Sequence, residues 1–287
     1  MLRGRHAPLS FERLAYVETL RLGASTWTYL QTCGLEAALR RLKSLGYSRF
    51  DVLTIPPHLW PYDIDIAQRR ALRTFLASER LSFDSLNLPS TDQNLCSVTP
   101  QMREYSVQQF LDIIDLCEEI GVPMIVVVPG RRANFVPPPL EAAHGWLKAG
   151  LETLLPHAER AGVRLILENH HMSSMPTVEQ MVTFLDAFGS HHLGIAYDVA
   201  NGEFVGEDQA QAIRTAGRWL RQVHLSDASR SKWDHAPIGQ SAVDFGAVAE
   251  ALREINFSGT SIVELISETP DADMAGALRE LHRYGWH

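Results

Sequence analysis

Short runs of Val, Ile and Leu alternate along this chain with longer stretches whose apolar positions recur every three or four residues. A short apolar run bounded by turn residues predicts a buried strand, and a 3.6-residue period predicts an amphipathic helix. Strands are expected at residues 22–26, 50–55, 81–88, 124–128, 163–167, 193–197, 220–225 and 261–265. Helices are expected between and after them, at 35–45, 65–79, 100–120, 139–161, 177–187, 207–217, 243–255 and 274–284. Gly46, Gly121, Gly162 and Gly189 stand where four helices hand over to the next strand, as a residue with positive φ should. Eight strand–helix pairs is the number that closes a parallel barrel. The expected fold class is therefore α/β, a single (β/α)8 barrel over residues 21–287. Residues 1–20 form a short N-terminal extension, with a helix at 11–20 expected to cover the barrel bottom. A doubly wound open sheet is the runner-up, but no G-x-G-x-x-G follows the first strand.

Composition narrows the class. Apolar residues make up 45% and charged residues 21%, enough to build one large core and far from the composition of a disordered chain. The formal charge of -8, with no basic cluster longer than a dipeptide such as Arg131-Arg132, argues against nucleic acid as a partner. Cys33, Cys96 and Cys117 are odd in number and lack C-x-x-C spacing, which suits a reducing compartment. With neither a signal-like apolar stretch nor a membrane-length run, the expected location is cytoplasmic, without membrane association.

Chemistry concentrates at strand ends in the second half. The expected strands near 163–167, 193–197, 220–223 and 261–263 are followed by Glu168, Asp198, His224 and Glu264. In a closed parallel barrel those ends converge on the face where barrel enzymes carry their active sites. Three oxygen donors and one nitrogen donor suit Mn²⁺ or Mg²⁺, with Co²⁺ or Zn²⁺ tolerated; one His is too few for a typical catalytic zinc site. Each residue alone also reads as a helix cap or surface ion pair, and only the joint recurrence points to a metal. Asp227 is expected to orient His224 or neighbouring backbone. His58 and Asn87 follow strands two and three and are candidates to bind a polyol, or simple turn residues. Trp27, Trp60 and Trp233 are candidates for the apolar wall of a sugar pocket. Arg131 and Arg132 are candidates to hold an anionic group on the substrate.

The segments LILENHH, GIAYDVAN, VHLSDAS and SIVELIS resemble the metal-binding strand ends of the xylose isomerase-like TIM barrel superfamily, in its sugar and sugar-phosphate isomerase/epimerase branch. The resemblance spans about residues 22–285. It implies that Glu168, Asp198, His224 and Glu264 hold one divalent ion, Mn²⁺ first, and that Glu168 and Glu264 act as acid and base. It also implies substrate contacts for Arg230, six residues after His224, for Asn201, three after Asp198, and for His170, two after Glu168. Residues 237–245 resemble a loop that borders the active site in this family, although Gln240-Ser241 replaces its second glycine.

The chain departs from the pattern at Ser174, where ketohexose epimerases of this kind carry a second glutamate, and in its second strand, which lacks a terminal glutamate. The expected activity is isomerisation or epimerisation of a keto sugar or related polyol in carbohydrate metabolism, by glutamate-mediated proton transfer through a metal-stabilised enediolate. The alternative is a dehydratase or lyase on a keto-polyol, similar to inosose or 3-dehydroshikimate dehydratases. A non-catalytic sugar-binding barrel and an apurinic endonuclease rank lower; the endonucleases place histidines at the positions of Asn87 and Asn201. The expected partner is a small-molecule sugar or polyol, and a homo-oligomer is compatible with this class.

Overall fold

The computed structural model describes residues 19–89, 92–132 and 135–287. Eight parallel strands close into a barrel: β1 (Arg21–Ser25), β2 (Arg49–Leu53), β3 (Ser82–Leu88), β4 (Met124–Val127), β5 (Arg164–Glu168), β6 (Leu193–Asp198), β7 (Leu220–Leu225) and β10 (Thr260–Val263), with β10 hydrogen-bonded back to β1. The two remaining strands, β8 (Asp227–Ser229) and β9 (Lys232–Ala236), form an antiparallel hairpin after β7.

Around the barrel run α1 (Leu35–Ser44), α2 (Ile66–Glu79), α3 (Pro100–Ile120), α4 (Leu140–Ala161), α5 (Val178–Phe188), α6 (Val199–Val205), α7 (Gln209–Ala216), α8 (Phe245–Glu254) and α9 (Pro270–His282). Every strand and helix expected within residues 21–287 is found within a few residues of its place. The hairpin exceeds the expectation, as does α6, which starts directly on Asp198 because the Asp198 carboxylate accepts from Asn201 N and caps it. The four expected glycines all have positive φ, for instance 83° at Gly121 after α3. The helix expected at 11–20 falls almost wholly outside the described residues. Its last residue, Leu20, is extended and bridges Trp286, whose indole is fully buried. Among the described residues no helix is long and apolar enough to cross a membrane.

The alternation of strand side chains decides what fills the barrel. Val126, Ile166 and Ala196, with Met124 beside them, form an apolar layer inside it. Two residues further along β5 and β6 the same alternation presents Glu168 and Asp198. On the opposite wall the layer is polar: Asp51, Ser85 and Gln222 are fully buried and bonded to one another through Ser85.

Candidate metal centre

Glu168 and Asp198 are the last residues of β5 and β6, His224 is the penultimate residue of β7, and Glu264 directly follows β10. The register is tight, with Glu168 opposite Ala196, Asp198 opposite His224, and His224 opposite Ile262. Four ligand atoms, one from each residue, consequently lie within 4.8 Å of one another, and all four side chains are buried. His224 Nδ1 is 2.7 Å from Glu168 Oε1 and 3.2 Å from Glu264 Oε2.

The neighbours of these groups aim them inward. Asp198 Oδ1 accepts from Asn201 N at 2.6 Å, and Asn169 clasps the Asp198 backbone, its amide donating to the carbonyl and its oxygen accepting from the N–H. His224 Nε2 lies 3.1 Å from Gln222 Oε1, which fixes the ring and leaves Nδ1 facing the carboxylates. Gln222 in turn donates to Ser85 Oγ at 2.8 Å, Ser85 bonds Asp51, and Asn87 Nδ2 donates to Asp51 Oδ2 at 3.1 Å.

After these partners are counted, Asp198 Oδ2 and Glu264 Oε1 are buried with no hydrogen-bond partner among the described residues, while His224 Nδ1 faces only the Glu168 and Glu264 carboxylates. Orphaned buried polar atoms are costly and uncommon. Two carboxylate oxygens of this kind converging beside the His224 imidazole fit a divalent cation. The charges in the cluster act strongly on one another. Burial raises Glu168 and Asp198 above the usual carboxylate range. Burial also disfavours the imidazolium of His224, but Glu264 and Glu168 outweigh it and raise its pKa. At Glu264 burial is overcome by His224, His235 and Ser25, so this glutamate stays below its ordinary value.

Above the cluster opens a cavity of about 240 Å³, walled by Trp27, Leu53, Val128, Met172 and Trp233, with Glu168 and Glu264 reaching it from below. Asn87, His170, Asn201 and Arg131 also line it. Trp233 Nε1 donates to Asn201 Oδ1 at 2.7 Å, which locks the indole as a wall. His170 stacks on His171, and burial followed by the His171 charge lowers its pKa to about 3, so it is neutral at physiological pH.

Other expected site residues lie elsewhere. His58 is held by Thr26 Oγ1 at 3.0 Å and the Cys33 carbonyl at 3.2 Å, which makes it a brace between loops. Arg230 sits at the hairpin turn, two-thirds exposed, 3.5 Å from Glu203, and is not among the residues lining the cavity. Trp60 packs on Tyr62, also outside the lining. Arg132 contacts the Pro138 carbonyl. Asp227 accepts from the backbone N–H groups of Ala228, Ser241 and Val243, so it holds the 237–245 loop, and Gln222 is the partner of His224. Ser174 is buried, its hydroxyl donating to the Pro129 carbonyl.

The structure adds a residue the sequence reading passed over. His235, on β9, is buried in the site, with Nδ1 3.0 Å from Ser226 Oγ, 3.7 Å from Asp198 Oδ2 and 4.0 Å from Glu264 Oε2. Its ring lies between Trp27 and Trp233, with centroids 5.1 and 5.5 Å away. Its one sequence signal was its place just before the 237–245 loop.

The family model described as xylose isomerase-like TIM barrel matches residues 39–284. The chain is similar to D-psicose 3-epimerase of Enterocloster bolteae, 25% identical over 61% of this chain and 59% of that protein. It is also similar to L-ribulose-5-phosphate 3-epimerase of Salmonella paratyphi A, 23% identical over 85% of this chain and 87% of that one. The chain spans about three fifths of the length of the first curated relatives it matches. Among solved structures, D-psicose 3-epimerase from Clostridium cellulolyticum H10 superposes with a TM-score of 0.80 at 15% identity, covering 93% of this chain and 100% of that one, a likeness of fold.

Proposed function

Because the chain belongs to the xylose isomerase-like TIM barrel family, we propose that it is a divalent-metal-dependent isomerase or epimerase of a keto sugar or related polyol. The observation that carries this reading is the convergence of Glu168, Asp198, His224 and Glu264, with Asp198 Oδ2 and Glu264 Oε1 buried and unpartnered among the described residues, at the floor of a cavity that Glu168 and Glu264 both line. Asp198, His224 and the two glutamates would hold the ion, with Mn²⁺ proposed first for this hard, mainly oxygen donor set. A bound divalent ion would acidify the C–H beside a chelated carbonyl.

The protein's own groups supply the rest. Glu168 ends β5, Glu264 follows β10, and both line the cavity, so one could remove a proton from carbon and the other return one. Which of them starts depends on the configuration of the substrate. Trp27 and Trp233 offer flat apolar faces to the C–H side of a sugar and exclude water, while Asn87 and Asn201 present amides to hydroxyls.

A second reading, loss of water or bond cleavage after the same proton abstraction, draws support from Ser174. A serine offers no carboxylate to a substrate, and its hydroxyl is committed to the Pro129 carbonyl. The deciding experiment incubates the protein and Mn²⁺ with a panel of ketoses and cyclic keto-polyols in D₂O. Solvent deuterium at carbon in a product of the same class supports isomerase chemistry, and a product lighter by one water supports the dehydratase. Glu168→Gln and Glu264→Gln should keep the fold and lose at least about 100-fold in turnover, while Asp198→Ala and His224→Ala lose the metal. Full activity in all four variants would sink both readings.

A further inference from the structure

The opposite end of the barrel carries an arrangement that the proposed reaction leaves unused. Arg21, Arg49 and Arg164 are the first residues of β1, β2 and β5, and Arg221 is the second of β7. Because all eight barrel strands are parallel, these four starts lie at the face away from the metal centre, where the side chains line one cavity of about 460 Å³. The only carboxylate in that lining is Asp84. It is already saturated: Arg49 Nη1 donates to it at 3.0 and 3.1 Å, and the hydroxyls of Ser82 and Thr260 also donate to it.

Arg21, Arg164 and Arg221 form no ion pair among the described residues. Arg164 donates only through Nε, to the His191 carbonyl, and Arg221 only through Nη1, to the carbonyls of Arg218 and Leu220. The remaining guanidinium donors are left for something else. Burial lowers the pKa of Arg221, and the charge on Arg164 lowers it further, so the like charges are close enough to repel. In a chain of formal charge -8, gathering four cations around one engaged acid is contrary to the global balance.

We propose that this cavity at the N-terminal end of the barrel is a binding site for a multivalent oxyanion, of the chemical class of phosphorylated small molecules. Guanidinium forks match pairs of phosphoryl oxygens, and several forks converging from different strands select for more than one negative charge. A bound polyanion relieves the Arg164–Arg221 repulsion and ties the starts of β1, β5 and β7 together, while the metal centre sits at the other end of the same strands.

The test is calorimetric titration of the metal-loaded protein with inorganic phosphate and with tripolyphosphate at low salt. It is repeated on His224→Ala, which removes a metal ligand, and on the double variant Arg164→Gln/Arg221→Gln, which leaves the metal centre intact. Saturable binding is expected, tighter for tripolyphosphate, retained in His224→Ala and weakened at least about tenfold in the double variant. Circular dichroism melts check that the variants are folded, and Arg21→Gln provides a second substitution, at an exposed residue, if the double variant is not. Sedimentation with phosphatidylglycerol vesicles, lost in the same arginine variants, would assign the oxyanion to a lipid headgroup in place of a soluble ligand. Absence of saturable binding to any of these probes, or binding unchanged by the arginine substitutions, overturns the proposal.

Discussion

At the scale of single residues, the centre is defined by what each polar atom lacks. Asp198 spends Oδ1 on capping α6 and keeps Oδ2 for the cluster, so one carboxylate both starts a helix and offers a ligand atom. His224 shows the same division, with Nε2 given to Gln222 and Nδ1 left to the carboxylates. Gln222 does not touch the cavity; it acts through the imidazole, and Ser85 and Asp51 behind it hold its amide. Replacing it with Leu removes the acceptor for the Nε2 proton without altering the four ligands. Gln222→Leu is expected to weaken Mn²⁺ or Co²⁺ affinity about 10- to 100-fold, with secondary structure unchanged, as read by metal titration and circular dichroism. Wild-type affinity in that variant would remove Gln222 from the account and leave the ring held by packing alone.

At the scale of elements, the β8–β9 hairpin is the part of the site that repeats no barrel unit. It carries Trp233 and His235 over the cluster, and its base is tied down by Asp227, whose carboxylate gathers three backbone N–H groups. Asp227→Ala strands those donors, two of them at buried residues, at a cost of about 3 kcal/mol. Because the proposed metal ligands sit at the ends of barrel strands, this variant should keep the metal affinity of the wild type while losing substrate affinity, a combination that metal analysis and kcat against KM can separate. A different element pair carries a pH response. Glu207, after α6, accepts from Val178 N at the start of α5, and burial pushes its carboxyl up to about 7. In the unfolded chain it titrates near the ordinary glutamate value, so the folded form holds a proton that the unfolded form has released across the interval from about 4.3 to 7. Stability from this group is thus full at the acid end, falls as pH rises through that interval, and is flat above it. Glu207→Gln keeps the acceptor for Val178 and abolishes the ionisation. It should gain about 1–2 kcal/mol at pH 8, allowing for partial solvent screening, and nothing at pH 4; equal gains at both would point to packing.

At the scale of the whole molecule, the barrel was legible because burial on both faces makes its strands continuous apolar runs, and the ligands were legible because they end those runs. The hairpin was not, since Asp227–Ser229 and Lys232–Ala236 are short and mostly polar and owe their pairing to Asp227 and to packing on α6. His235 was lost with it, and Arg230 fell at a turn facing Glu203. Asp51 and Gln222 read as ordinary strand residues because a polar layer inside a barrel requires partners from strands far apart in sequence, here β2, β3 and β7. The same long-range assembly would give a bound divalent ion its leverage on stability. The ligand residues are spread from Glu168 to Glu264 and come from four strands adjacent in the barrel, so the unfolded chain offers no comparable site and binding acts almost wholly on the folded state. With metal at 1,000 times its dissociation constant the stabilisation is about 4 kcal/mol, which for a chain of this size corresponds to roughly 5–15 °C in Tm. Chelator treatment should lower Tm by that amount, and Mn²⁺ should restore it. Protons compete for the same carboxylate and imidazole atoms, so the difference between loaded and stripped protein should widen from pH 5.5 to pH 8. In His224→Ala the loaded and stripped melts should coincide at every pH. If the wild-type protein also melted identically with and without metal, the buried unpartnered atoms would have to be answered by protons and water, and the cluster would be an ionisable network and no longer a metal centre.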